Sequence, residues 1–142
     1  MKTNRKWIGF LVAVFVVFSW SVAGAEQVSV KVGLLAPMTG PSPDWGKKQV
    51  VGMEMALEKI NARGGVNGVP VEMVQYDTGG DPTLTVEAYR RLAEEDKVLV
   101  IIGPLFSDIF KSLAPVTNEE KVAIIATASA TPGLSDLKKF PY

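Results

Sequence analysis

Residues 98–103 read Val98-Leu99-Val100-Ile101-Ile102-Gly103, six positions with no polar side chain and no alternation. A strand with one wet face alternates apolar and polar residues. An unbroken apolar run of this length, closed by glycine, fits a strand covered on both faces, as in a parallel sheet flanked by helices. The neighbouring segments support that reading in both directions. Upstream, Asp81-Pro82 is a helix start, a capping acid followed by proline at the first helical position. That helix is expected to run to about Glu95, with Leu84, Ala88, Leu92 and Val86 facing inward. Downstream, a helix is expected from Ser107 to about Glu120, with Pro115 inside it or ending it.

Working further out, residues 69–77 (VPVEMVQYD) read as a strand that follows an Asn67-Gly68 turn. Residues 45–62 read as a helix in which Val50, Met53, Leu57 and Ile60 fall three and four apart, forming one apolar stripe. Arg63-Gly64-Gly65 closes it, with glycine where a left-handed cap is needed. Residues 28–35 (VSVKVGLL) are the first strand and residues 122–128 (VAIIATA) a fourth, buried strand. Residues 129–142 read mostly as loop, with a helical turn near 134–138. The order β-α-β-α-β-α-β, joined by short connections, predicts an α/β fold with a parallel, doubly wound sheet. Such sheets take ligands beyond the carboxyl ends of their strands, where the strand order reverses. Three loops meet that edge: 36–44 (APMTGPSPD), 104–107 and 129–133.

Composition narrows the function. The 142 residues hold no cysteine and no histidine. This removes disulfides, thiol nucleophiles, a lipid-modified cysteine anchor and any catalytic triad built on histidine. Asp77 and Asp81 look like a metal pair at first sight, but a carboxylate-only site would be unusual and Asp81 is committed to a helix cap. Neither a metal nor a cofactor is expected. Gly64, Gly65 and Gly68 follow a helix rather than a strand, so they do not form a phosphate loop.

Three of the fifteen basic residues, Lys2, Arg5 and Lys6, lie in the first six positions, leaving twelve against fifteen acids from Glu26 onward. A body with net charge −3 lacks the basic face that nucleic acid requires, so no nucleic-acid partner is expected. The charged start, the apolar run 7–20 (WIGFLVAVFVVFSW) and Ala23-Gly24-Ala25 form the three parts of a secretory signal, residues 1–25, cut after Ala25. Cleavage would leave no stable membrane anchor; the alternative is an uncleaved anchor, for which the stretch 7–25 is nearly long enough. Both place residues 26–142 outside the cytoplasm.

Lys31-Val32-Gly33-Leu34-Leu35-Ala36-Pro37-Met38-Thr39-Gly40-Pro41 resembles the opening of the branched-chain amino-acid-binding proteins, the type I periplasmic receptors of ABC importers. The likeness continues through Trp45-Gly46, Asn61-Ala62-Arg63-Gly64-Gly65-Val66-Asn67-Gly68, Tyr76-Asp77 with Asp81-Pro82, Ile102-Gly103-Pro104 with Ser107, and residues 126–132. No single motif is specific, but five in the right order are.

The resemblance implies a two-lobed clamp that closes on a small-molecule ligand and delivers it to a membrane permease; periplasmic binding proteins are a standard example of such closure. It implies that Ser107 receives the ligand carboxylate, aided by the free N–H groups of its helix start, with helix capping as the plainer role for that serine. It assigns Ser129, Ala130 and Thr131 to the loop that meets the ammonium and carboxylate groups. It places Trp45 over the pocket and Leu105 and Phe106 beside it. Phe106 is larger than the small residue the family carries there, which implies a different pocket size. Family chains continue well past Phe140-Pro141-Tyr142, so the resemblance also implies that residues 26–142 form only part of the first lobe. One partial lobe is expected to bind an amino acid weakly or not at all, because half of a clamp cannot enclose a ligand. A ligand-sensing domain on the same fold and an extracytoplasmic enzyme stay open as alternatives, although no nucleophile–base pair is evident at the three loops.

Overall fold

A computed structural model describes residues 28–130 and, beyond them, only Asp136, Lys138 and Pro141. The secretory signal expected at 1–25, Thr131 and most of the turn expected near 134–138 lie outside the described residues. Four strands form one parallel sheet: β1 (Val30–Ala36), β2 (Val71–Asp77), β3 (Val100–Ile102) and β4 (Ala123–Ile125). Their order is β2-β1-β3-β4, so the sheet is wound outward from β1 in both directions and the order reverses between β1 and β3. The fold is the α/β arrangement expected from the sequence.

Helix α1 (Pro43–Ala62) joins β1 to β2 and packs on both. Helix α2 (Pro82–Arg90), continued by a π-helical turn (Arg91–Glu95), joins β2 to β3, and α3 (Ser107–Glu120) joins β3 to β4. Alternation along β1 sorts its side chains between the two faces. Leu35 faces α2 and α3, in a core with Ala88, Tyr89, Leu92, Val98, Ile101, Leu113 and Val116. Leu34 and Ala36, also buried, point to the side of α1.

Local chemistry places the ends of these elements. The Asp81 carboxylate accepts from the N–H groups of Thr83 (2.7 Å) and Leu84 (2.9 Å), and Pro82 opens α2, as the sequence indicates. Asn61 pins the end of α1 to the start of β2: its amide donates to the Val71 carbonyl and accepts from the Val71 N–H, both at 2.8 Å. Asn67 and Gly68 both adopt positive φ in the turn between Val66 and Val69. Lys121 ends α3 in the left-handed conformation, and Pro115 lies inside the helix.

Three expectations shift. Strand β3 takes only Val100–Ile102 of the apolar run 98–103, and Leu99 is 71% exposed. Leu84 is 49% exposed, and Thr85, Ala88 and Tyr89 of α2, with Leu92 of the π-helical turn, face inward. Thr85 tolerates burial because its hydroxyl donates to the Asp81 carbonyl at 2.6 Å, leaving only its methyl to pack. The fourth strand is shorter than expected and only partly buried, with Ile125 56% exposed. It pairs with β3 alone among the described residues.

Candidate ligand-binding site

The crevice between β1 and β3 opens at the carboxyl ends of the strands, where a doubly wound sheet places its ligand. Three connections border it: residues 37–42 after β1, 103–106 after β3 and 126–130 after β4. Two of them are shaped by close backbone contact. Gly103 adopts φ +99° against β1, and a Cβ there would lie 2.3 Å from the Leu35 carbonyl oxygen. The peptide bond from Gly103 to Pro104 is cis. In α1, a Cβ on Gly46 would lie 2.1 Å from the Pro37 carbonyl oxygen, so this glycine lets the helix start sit on the β1 loop.

Asp77, at the end of β2, holds the β1 loop in place. Its carboxylate accepts from the Met38 N–H (2.8 Å), the Thr39 N–H (3.2 Å), the Thr39 hydroxyl (2.7 Å) and the Gly79 N–H (2.8 Å). Partial burial alone would raise the carboxyl pKa. The bonds from the Thr39 hydroxyl and the Gly79, Met38 and Thr39 N–H groups together outweigh it and hold the pKa below the usual carboxylate value. Asp77 thus shapes a loop.

Ser107 is the first residue of α3. Phe106 occupies the N-cap position, and no side chain caps the helix. The Ser107 oxygen instead accepts from the Ala130 N–H at 3.0 Å and from the Ser129 hydroxyl at 3.3 Å. A serine oxygen has two acceptor positions, and both are used. The Ser107 O–H is left as a donor, at a helix start whose N–H groups also point outward. Together they form a donor-only cluster that suits an anionic oxygen.

Three of the residues singled out from the sequence, Ser107, Ser129 and Ala130, are therefore in direct contact. Trp45, in the first turn of α1, is 57% exposed, with the Lys48 ammonium 5.1 Å from its ring centre. Phe106 is 38% exposed beside Ser107, whereas Leu105 is 6% exposed and packs beneath the loop. Thr131 lies outside the described residues. Sequence reasoning missed one contact: the Gln49 amide, one turn past Trp45 in α1, donates to the Thr127 hydroxyl at 2.7 Å. Its position four residues after Trp45, on the same side of the helix, was the available signal.

Known proteins share this sequence pattern and fold. The chain is 28% identical over 95% of its length to the leucine-, isoleucine-, valine-, threonine- and alanine-binding protein of Pseudomonas aeruginosa, of which it covers 36%. A crystal structure of a leucine-binding protein from Thermotoga maritima superposes with a TM-score of 0.70 at 33% identity, over 78% of this chain and 31% of that one. The solute-binding protein of an ABC transporter from Rhodopseudomonas palustris, in complex with 3,4-dihydroxybenzoic acid, superposes with a TM-score of 0.71 at 29% identity, over 80% and 30%. The chain thus spans about a third of the length of the relatives it matches. The profile of one family, described as periplasmic binding protein, matches residues 29–142. With this sheet order and that match, the chain belongs to the periplasmic binding protein family, among relatives that include the branched-chain amino-acid-binding proteins.

Proposed function

We propose that residues 26–142 form part of the first lobe of an extracytoplasmic receptor for an ABC importer, and that its ligand is an amino acid, branched-chain or related. The observation that carries this reading is the state of Ser107. With both acceptor positions of its oxygen filled by Ser129 and Ala130, its hydroxyl can only donate. It stands at an uncapped helix start. A carboxylate fits that set of donors. Each hydrogen bond to a charged group contributes about 1.5–3 kcal/mol.

The other site residues follow from their positions. The segment Ser129-Ala130-Thr131 presents polar groups to the ligand's ammonium and carboxylate. Trp45 and Phe106 cover its apolar body, and Leu105 supports the loop from below. The receptor hands its ligand to a membrane permease and needs no cofactor. The leader is removed after Ala25, so N-terminal sequencing of the exported protein should begin Glu26-Gln27-Val28. A second reading rests on Trp45 and Phe106: two exposed aromatic rings at the crevice also suit an aromatic carboxylate, the class bound by the Rhodopseudomonas palustris relative.

Isothermal titration of the exported protein, as its cell makes it, tests both readings. Leucine, isoleucine, valine and 3,4-dihydroxybenzoate are the ligands, and leucinamide is the control without a carboxylate. One of the carboxylates should bind one to one and leucinamide should not. Ser107→Ala should weaken binding by about 10- to 100-fold, the equivalent of one charge-assisted hydrogen bond. Undiminished binding by Ser107→Ala, or no binding of any carboxylate, would overturn the assignment.

A further inference from the structure

The bond between Gln49 and Thr127 joins two parts of the molecule that no other described hydrogen bond connects. Strand β4 ends at Ile125, whose carbonyl accepts from the Gly103 N–H at 2.9 Å. Beyond that point no strand pairing holds the described residues, yet residues 126–130 carry Ser129 and Ala130 to Ser107. Three side-chain bonds hold the segment. Two are the contacts of Ser129 and Ala130 with Ser107, which come from α3 on one face of the sheet. The third is the 2.7 Å bond from Gln49, which comes from α1 on the other face. The segment is thus drawn from both sides across the carboxyl edge of the sheet.

Gln49 has a second feature. Its carbonyl oxygen Oε1 is buried and has no hydrogen-bond partner. Burying an unpaired acceptor is unfavourable. A side chain retained for packing alone would be better as leucine. The amide therefore has its value in the Nε2 donor, which reaches Thr127.

We infer that Gln49 is a positioning residue of the binding site: through Thr127 it sets the loop after β4 so that Ser129 and Ala130 occupy both acceptor positions of Ser107 and leave its hydroxyl free to donate to the ligand. The inference rests on the carboxylate-binding role of Ser107. Without the Gln49 bond the loop keeps only its two contacts with Ser107, and the Ser107 hydroxyl spends part of its time turned away from the ligand.

The test uses Gln49→Leu, Thr127→Val and the double variant in the exported protein, with three readouts. Hydrogen–deuterium exchange of the peptide covering residues 126–130 should speed up in each variant. The thermal midpoint should hold steady or rise for Gln49→Leu, because that change also removes the buried unpaired oxygen, and should fall slightly for Thr127→Val, which leaves the Gln49 amide without its partner. Affinity for the carboxylate ligand found by titration should fall about three- to tenfold in each single variant, as expected for one neutral hydrogen bond. It should fall no further in the double variant, because both changes break the same bond. Unchanged exchange in this peptide would overturn the inference. So would losses that multiply in the double variant, or a loss of affinity in Gln49→Leu matched by a fall in its thermal midpoint, which would mark a merely structural role. Should the unaltered protein bind no carboxylate, the functional reading fails, and the exchange measurement alone decides the role of Gln49.

Discussion

Replacing Asp77 by asparagine separates the charge of its carboxylate from its shape. Asparagine keeps one oxygen in the position that accepts from the Met38, Thr39 and Gly79 N–H groups. Its NH2 group replaces the oxygen that accepts from the Thr39 hydroxyl, which can rotate to accept instead. The geometry survives and the charge assistance is lost. A hydrogen bond to a charged group contributes about 1.5–3 kcal/mol and a neutral one about 0.5–1.5, so each of the four bonds weakens by roughly 1 kcal/mol in a dry site. Asp77 is exposed, and water competes for the same donors, so most of that difference is screened. The expected net loss at pH 7 is about 1–2 kcal/mol.

The pH dependence gives the sharper test. The carboxyl pKa in the folded protein lies below its ordinary value, which in an unfolded chain is about 3.9. The stabilisation is therefore fully present above about pH 4–5 and disappears as the pH falls through the folded value. Urea unfolding followed by circular dichroism between pH 3 and 7 should show the unaltered chain ahead of Asp77→Asn at neutral pH, with the gap closing on acidification. A gap that stays constant to pH 3, or no gap at pH 7, would refute the assignment of these four bonds as charge-assisted.

Two further substitutions probe the frame of the site. Gly103→Ala combines an unfavourable φ of +99° with a Cβ 2.3 Å from the Leu35 carbonyl oxygen. It should cost about 2–4 kcal/mol in denaturant unfolding, because left-handed strain and overpacking each cost about 1–3 kcal/mol. Tyr89 is buried, donates to the Val122 carbonyl at 2.7 Å, and has its phenol pKa pushed up to about 12, first by burial and then by the nearby Glu120 carboxylate. Tyr89→Phe should lower stability by about 1–2 kcal/mol in the same assay, because it strands that carbonyl. In the unaltered protein, spectrophotometric titration should leave this phenol protonated at pH 11.

Much of the fold was legible in the residues. Local rules carry the Asp81-Pro82 helix start, the glycine-closed end of α1 and the Asn67-Gly68 turn, because each depends on side chains within four positions of the feature. The apolar run at 98–103 indicated a strand of a parallel sheet, which forms over Val100–Ile102, although only Ile101 of that strand is fully buried and Leu99 is 71% exposed. The errors arose where hydropathy stood in for geometry. Leu84 was expected inside because it is apolar, and Thr85 was overlooked because it is polar. The hydroxyl of Thr85 finds its partner one turn back in the backbone, and only the orientation of α2 on the sheet shows which of the two residues turns inward. The same limit applies to β4, where an apolar run promised burial and Ile125 is exposed.

The site divides along the same line. Ser107, Ser129 and Ala130 were named from motifs that resemble a family, each for contact with a ligand and none for contact with another. Their mutual contact spans 22 and 23 positions of sequence and arises because β3 and β4 are adjacent and parallel, which brings both following loops to one edge. Gln49 and Thr127 are 78 positions apart, and nothing in either local stretch points to the other. The sequence alone determined the class of fold, because it follows from composition and short-range periodicity, and the same reading set the expectation of a ligand at the carboxyl edge of the sheet. Which oxygen is left with only a proton to offer was decided by tertiary structure, since hydrogen-bond saturation depends on groups that meet only once the chain has folded.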